Sequence, residues 1–145
     1  MDKEVSHQVY LGLGSNLGDR RALLESAIQL IGERVGHVAR CSSFIETEPW
    51  GFRSDNRFLN AVILCQTDKT PREVLLITQQ IERDLGRRNK SLNRKSQNRK
   101  YTDRPIDIDI LLYDDLIVDE PDLKIPHPLM QERDFVMIPL REIRQ

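Results

Sequence analysis

Phe58-Leu59-Asn60-Ala61-Val62-Ile63-Leu64-Cys65-Gln66-Thr67, followed at once by Asp68-Lys69-Thr70-Pro71-Arg72-Glu73-Val74, is the stretch on which the fold turns. The first ten residues are a short apolar run rich in strand formers, and they read as a strand. Thr70 then stands at a helix cap, Pro71 at the first helical position and Glu73 at the third. This is a capping box, which satisfies N–H groups that a helix start leaves unpaired. Val74, Ile77, Ile81 and Leu85 give the helix one apolar stripe, and Gly86 supplies a residue that tolerates a left-handed end. A strand therefore passes directly into an amphipathic helix.

Working outward, residues 8–13 alternate polar and apolar before the turn Gly12-Leu13-Gly14-Ser15-Asn16, which reads as a first strand entering a loop. Leu24, Ala27, Ile28, Ile31 and Val35 recur at helical spacing behind Asp19, a residue suited to the N-cap. Residues 37–47 are rich in β-branched and small side chains and read as a second strand. Beyond Gly86, residues 87–103 have almost no large apolar side chains, so the expectation there is a long mobile loop. Residues 106–113 read as a last strand. Pro126-His127-Pro128 breaks the chain, and residues 130–143 suggest a closing helix or an irregular turn. The order strand, helix, strand, strand, helix, strand predicts an α+β, ferredoxin-like βαββαβ sandwich, with two helices on one face of an antiparallel sheet. With no repeat and no linker, one domain over 1–145 is expected.

The 145 residues are 39% hydrophobic and 31% charged with a net charge of -1, the balance of a soluble globular chain. No signal-peptide core and no run of membrane-spanning length is present, and Cys41 and Cys65 lack metal-ligand spacing. A cytoplasmic protein without membrane association is expected. The charge is unevenly distributed. Between Arg83 and Arg104 nine basic residues face only Asp84 and Asp103, which suits either a solvated face or a polyanion partner.

Asp107 and Asp109 lie two apart on a strand, so both carboxylates leave one face while Ile106, Ile108 and Ile110 leave the other. Such a pair about 7 Å apart repels by roughly 0.6 kcal/mol in water, so a solvated pair is tolerable. Magnesium, however, favours one or two carboxylates plus waters and substrate phosphates, and the pair follows the most basic stretch of the chain. Cations for phosphate beside carboxylates for metal favour the metal reading. The Gly-rich turn fits neither a dinucleotide fingerprint nor a P-loop and reads as a tight turn. Phe58 and Asn60 share a strand face, an aromatic beside an amide, suited to a flat heterocycle or equally to ordinary packing. His127 is a packed or a surface imidazole on its own showing.

Taken together, Gly12-Leu13-Gly14-Ser15-Asn16-Leu17-Gly18, Thr47-Glu48-Pro49-Trp50-Gly51, Phe58-Leu59-Asn60-Ala61, Gln79-Gln80-Ile81-Glu82 with Gly86-Arg87, Arg104-Pro105-Ile106-Asp107-Ile108-Asp109, and Pro126-His127-Pro128 with Glu132-Arg133-Asp134-Phe135 are short motifs in a specific order. In this they resemble the 6-hydroxymethyl-7,8-dihydropterin pyrophosphokinase family of folate biosynthesis, over nearly the whole chain. The resemblance implies transfer of diphosphate from ATP to the hydroxymethyl group of 6-hydroxymethyl-7,8-dihydropterin, with AMP leaving. It implies two Mg²⁺ ions on Asp107 and Asp109, with Arg87, Arg104 and His127 at the phosphates. Gln79 and Glu82 would line the nucleotide side, Ile110 and Leu123 would lie near adenine, and the region around Asn16 would join a catalytic loop. For the pterin, Asn60 would read the ring edge and Phe58 and Phe135 would sandwich it, while Thr47, Pro49 and Trp50 would belong to a segment giving backbone contacts. Arg87 and Arg104 count among the expected catalytic residues alongside the two aspartates. Departures are a longer basic stretch than is usual and Tyr101 where many members have Trp.

A monomer that binds no nucleic acid is expected. An RNA-binding module is the main rival, disfavoured because the strands lack an aromatic-rich RNP1 pattern and the acid pair would go unexplained. A non-catalytic nucleotide sensor is the other.

Overall fold

The computed structural model describes residues 6–47, 57–86 and 105–144. The elements in chain order are β1 (His7–Ser15), α1 (Arg20–Arg34), β2 (His37–Cys41), β3 (Ile45–Thr47), β4 (Phe58–Thr67), α2 (Pro71–Asp84), β5 (Asp107–Tyr113), β6 (Val118–Glu120), β7 (Leu123–Ile125) and α3 (Asp134–Ile143), with a 3-10 turn at Met130–Glu132 before the last helix.

β1 is the central strand. It runs antiparallel to β4 from the pair His7/Thr67 to Ser15/Leu59, and antiparallel to β5 on its other side. The order is β2-β4-β1-β5, with β3 also paired to β4. That is the arrangement expected of the βαββαβ sandwich. Both predicted caps are present. Asp19 accepts the Ala22 N–H, while Thr70 and Glu73 exchange hydrogen bonds at 3.1 and 2.8 Å. α1 and α2 bury Leu24, Ala27, Ile31, Val74 and Ile81 against Leu11, Leu13, Ile63, Ile108 and Ile110 of the sheet. At the end of α1 the chain turns against β4 so closely that a Cβ on Gly36 would sit 2.0 Å from the Gln66 carbonyl oxygen. Only glycine fits there.

Three features go beyond the sequence reading. The strand read over 37–47 is split into β2 and β3, both on the same edge of β4. Ser42 bridges the gap. Its N–H donates to the Val62 carbonyl and its hydroxyl accepts the Val62 N–H, both at 2.9 Å, so a side chain takes over one ladder bond. Ser43 is turned outward and gives its N–H and hydroxyl to the Glu142 carboxylate. Second, β6 and β7 form an additional two-stranded hairpin. It is tied to α2 by ion pairs from Arg72 to Glu120 and to Asp122, both exposed and of small energetic weight. Third, the closing segment is a helix, and it covers the opposite face of the sheet. α3 packs Val136, Leu140 and Ile143 on Val62, Leu64, Leu111 and Met130.

β5 carries a bulge. Leu11 pairs with Ile110 but Tyr10 with Leu112, so Leu111 has no opposite partner on β1. Asp107, Asp109, Leu111 and Leu112 consequently all face α3, while Ile108, Ile110 and Tyr113 face α1 and α2.

Candidate active site

The acid pair belongs to a row of residues that crosses the sheet. Asp107 is opposite Gly14 on β1, Gly14 is opposite Asn60 on β4, and Asn60 is opposite Ile45 on β3. The next row sets Asp109 opposite Gly12 and Gly12 opposite Val62. All of these project to the α3 face, because side chains directly opposite one another leave the same side of a sheet. Gly14 makes the row usable. A Cβ there would lie 2.9 Å from Asn60 Oδ1 and 3.3 Å from the Phe58 ring. The absence of a side chain at 14 lets Asn60 and Phe58 lean over β1 and leaves the space between the amide and the acids unfilled.

Asn60 is 3% exposed, and its Nδ2 donates to Thr47 Oγ1 at 2.7 Å. Phe58 is half-buried beside it, opposite Thr47. Phe135, half-buried in the first turn of α3, lies in the same layer above the sheet. The aromatic pair and the amide expected to meet a heterocycle are therefore on one face.

Asp107 and Asp109 are half-buried, not fully solvated. Arg133, the residue before α3, is 4% exposed and electrostatically coupled to Asp109. Burial pushes the Asp109 carboxyl well above the usual carboxylate range, and the neighbouring Asp107 and Glu82 charges and a hydrogen bond that Asp109 donates to Asp107 add to this, with Arg133 opposing. Two carboxyls packed side by side in this way are short of positive charge. A divalent cation fits that deficit. Among the described residues no group of three His, Cys, Asp or Glu side chains gathers as a metal cluster, so the protein would offer the pair and leave the remaining positions to water and phosphate, the habit of Mg²⁺.

Glu82 is placed differently from a surface nucleotide contact. It is 5% exposed, and its Oε2 accepts the Ile108 N–H at 2.7 Å. Among the described residues β5 is an edge strand with no further strand beyond it, and Glu82 reaches across from α2 to satisfy the N–H between the two aspartates. Gln79 is half-exposed three residues earlier on the same helix. Ile110 and Leu123 are packed in the core with α1 and α2, on the side of the sheet away from the acid pair.

His127 follows a cis Ile125–Pro126 bond. Its N–H donates to the Leu111 carbonyl at 3.0 Å, and its Nδ1 accepts from Leu129 at 3.4 Å, which leaves Nε2 as the N–H of the neutral ring. Burial and Arg133 hold its pKa below 6.5, with Asp107 pulling the other way. His127, Arg133 and the acid pair thus share one electrostatic neighbourhood. Pro49, Trp50, Arg87, Arg104 and the long basic stretch lie outside the described residues. A separate cleft of about 470 Å³ at the start of α1, between Arg20, Arg21, Phe44 and Leu59, contains none of the expected site residues.

Arg133 and Gly14 were visible in the sequence only as members of motifs. Nothing in their spacing marks one as a buried charge and the other as a gap in the sheet surface.

Residues 10–145 match the family model described as 7,8-dihydro-6-hydroxymethylpterin-pyrophosphokinase. A 2-amino-4-hydroxy-6-hydroxymethyldihydropteridine pyrophosphokinase of Porphyromonas gingivalis is 51% identical over 136 residues, 93% of this chain and 89% of that protein. The enzyme of the same name from Aquifex aeolicus is 40% identical over 93% of this chain and 79% of its own. Among solved structures, wild-type Plasmodium falciparum HPPK-DHPS with pterin and p-hydroxybenzoate superposes with a TM-score of 0.71 at 16% identity over 97% of this chain. This chain spans 39% of that longer protein. That likeness speaks to the fold. Relatives and fold together define an ATP-dependent diphosphotransferase. The chain belongs to the 7,8-dihydro-6-hydroxymethylpterin-pyrophosphokinase family.

Proposed function

We propose that the chain transfers diphosphate from ATP to the hydroxymethyl group of 6-hydroxymethyl-7,8-dihydropterin through the site on the α3 face, with Asp107 and Asp109 holding two Mg²⁺ ions. The observation that carries this assignment is the row Asp107, Gly14, Asn60 across three adjacent strands. Two strand spacings place the acids and the amide about 10 Å apart, the separation a bicyclic ring with its hydroxymethyl arm needs to reach from a ring-reading amide to a metal-bound phosphate. Gly14 keeps the path open.

In this reading Asn60 binds the ring edge, Phe58 and Phe135 take its two faces, and Thr47, Pro49 and Trp50 belong to the same subsite. Gln79 belongs to the nucleotide side, whereas Ile110 and Leu123, packed with α1 and α2 on the other face of the sheet, do not join the α3-face site. Glu82 acts on the nucleotide side by fixing β5, since the backbone bond it makes lies between the two metal-binding positions. Arg133 and the Nε2–H of His127 face the triphosphate with Arg87 and Arg104, offsetting its charge. Bound Mg²⁺ supplies Lewis-acid polarisation of the phosphoryl oxygens and lowers the pKa of a coordinated hydroxyl. The substrate oxygen attacks the β-phosphorus in line, the bond from that phosphorus to the AMP oxygen breaks, and the protein contributes positioning and charge complementarity. No described histidine or lysine is assigned as a general base.

One domain acting as a monomer, and a cytoplasmic location, complete the reading. Support comes from a main sheet covered on both faces and from free Cys41 and Cys65 thiols. No described helix is long and apolar enough to cross a membrane. The test is to incubate the protein with Mg-ATP and 6-hydroxymethyl-7,8-dihydropterin and identify the nucleotide released. AMP supports diphosphate transfer, whereas ADP, or no nucleotide product, overturns it.

A further inference from the structure

We infer that Arg20 is a positioning residue for the reaction: from the face of the sheet that the dihydropterin does not touch, its guanidinium sets the spacing of the two strand ends that carry Thr47 and Phe58. The inference rests on the reading that the ring lies beside those two residues. Thr47 and Phe58 are opposite each other at the end of the β3/β4 ladder, on the α3 side with Asn60. The residue before Thr47 points the other way. Glu46 is opposite Leu59, and Leu59 is opposite Ser15 at the end of β1, so this row faces α1.

From Ser15 the chain turns through Gly18, with a φ of 73°, and through the cap Asp19, and returns on the α1 side as Arg20, the first residue of the helix. There one side chain takes partners from two strands. Arg20 Nη2 meets Glu46 Oε2 at 2.7 Å, and Nη1 donates at 2.9 Å to the Arg57 carbonyl, which belongs to the peptide joining Arg57 to Phe58. A guanidinium only donates, while carboxylate and carbonyl oxygens only accept, so neither contact can be reversed. The Arg21 guanidinium lies 4.8 Å from the centre of the Phe44 ring, so the first turn of α1 also holds the chain where it enters β3. With Arg20 31% and Glu46 43% exposed, their ion pair adds little to stability. Its contribution is geometric. The bridge holds Thr47 and Phe58 at a set separation before the ring arrives, so less freedom is lost on binding. A planar fork suits two partners at once, which the point charge of a lysine does not.

The discriminating variants are Arg20→Met, which removes both contacts and keeps the aliphatic stem, Glu46→Gln, which weakens one of them, the double variant, and Arg20→Lys. For each, calorimetry gives the affinity for a non-hydrolysable ATP analogue and, with that analogue bound, for dihydropterin; turnover gives kcat and the dihydropterin KM. Arg20→Met is expected to weaken dihydropterin binding and raise its KM about fivefold, within the reach of an exposed ion pair and one charge-assisted hydrogen bond. Saturated kcat, affinity for the ATP analogue and melting temperature should stay close to those of the wild type, which a loss of fold would not allow. The double variant should bind no more weakly than Arg20→Met, because Arg20 is common to both contacts, and Arg20→Lys should fall between Arg20→Met and the wild type. If Arg20→Met does not fold, Glu46→Gln carries the same test with a smaller loss. Unchanged dihydropterin affinity, equal losses for both ligands, additive losses in the double variant, or a lysine variant as tight as the wild type overturns the inference. Failure of the wild type to bind dihydropterin at all would instead overturn the functional reading beneath it.

Discussion

Glu82 Oε2 takes the Ile108 N–H at 2.7 Å, so a carboxylate from α2 closes the free edge of β5 between Asp107 and Asp109. Removing the acceptor and removing the charge should have separate effects. Glu82→Gln keeps an oxygen for Ile108 and takes one negative charge away from Asp109, so metal-free stability should hold or rise. Glu82→Leu strands a buried N–H and should cost about 1–3 kcal/mol. Urea denaturation of both variants checks this; a Leu variant as stable as the wild type would show that the bond carries no weight.

Burial and its acidic neighbours raise the pKa of Asp109, which in the metal-free protein is a cost to folding above the ordinary carboxylate range. Asp109→Asn should therefore raise the metal-free melting temperature while reducing turnover by at least about 10³-fold, ~4 kcal/mol of barrier. Asp107→Asn should lose comparable activity. In both, the rise in melting temperature that Mg-ATP gives the wild type should shrink. Normal diphosphate transfer by either variant would remove the acid pair from the mechanism.

Asn60→Ala should weaken dihydropterin binding by about 1–3 kcal/mol, because the ring's polar edge loses its partner, and should leave ATP binding nearly intact. Gly14→Ala should act in the same direction through a different cause, as its new methyl would press on Asn60 Oδ1 and Phe58. Calorimetric titration with each ligand separates the subsites. Equal losses for both ligands would assign these residues to the scaffold.

His127 gives the metal-free protein a pH dependence of known sign. Its pKa is depressed below 6.5 by burial and by Arg133, so its neutral form is favoured in the folded state. That contribution to stability is fully present above 6.5 and is lost as pH falls through the folded-state pKa, where the unfolded chain binds the proton first. His127→Asn should flatten the fall in stability over this acidic window and leave the curve above it unchanged. Denaturation midpoints collected across the window decide the matter; parallel wild-type and variant profiles would exclude His127 as the source.

Much of the fold could be read from the sequence because its signals are local. Thr70 and Glu73 are three residues apart, the α2 stripe has helical spacing, and the alternation of Asp107, Ile108 and Asp109 assigns faces without reference to the rest of the chain. What escaped the reading depends on partners far apart in sequence. The break between β2 and β3 exists because Ser42 replaces a ladder bond to Val62 and Ser43 finds Glu142, about a hundred residues away. Glu82 reads as one more polar residue on an amphipathic helix until β5 arrives to use it. The half-buried setting of the acid pair, with the buried Arg133 charge acting on Asp109, is announced by no periodicity in residues 106–113. The proposed site residues rest on motif order, and the geometry gives Gly14 and Arg133 their physical meaning.

The bulge at Leu111 makes β5 a strand written in two phases. Up to Ile110 its odd-numbered residues set the acid pair on the α3 side; after the extra residue, even-numbered Leu112 takes over that side and packs in the cluster beneath the helix. A charged end and a greasy end thus share one surface of one strand, which strict alternation would also have allowed, but here the phase slip lets Tyr113 return to the opposite core and give its hydroxyl proton to the Lys69 carbonyl. Transplanting the Asp-Ile-Asp segment into another sheet would carry over the acids alone. Without the added residue downstream, the host strand would present the wrong side chains to the helix packed on that face.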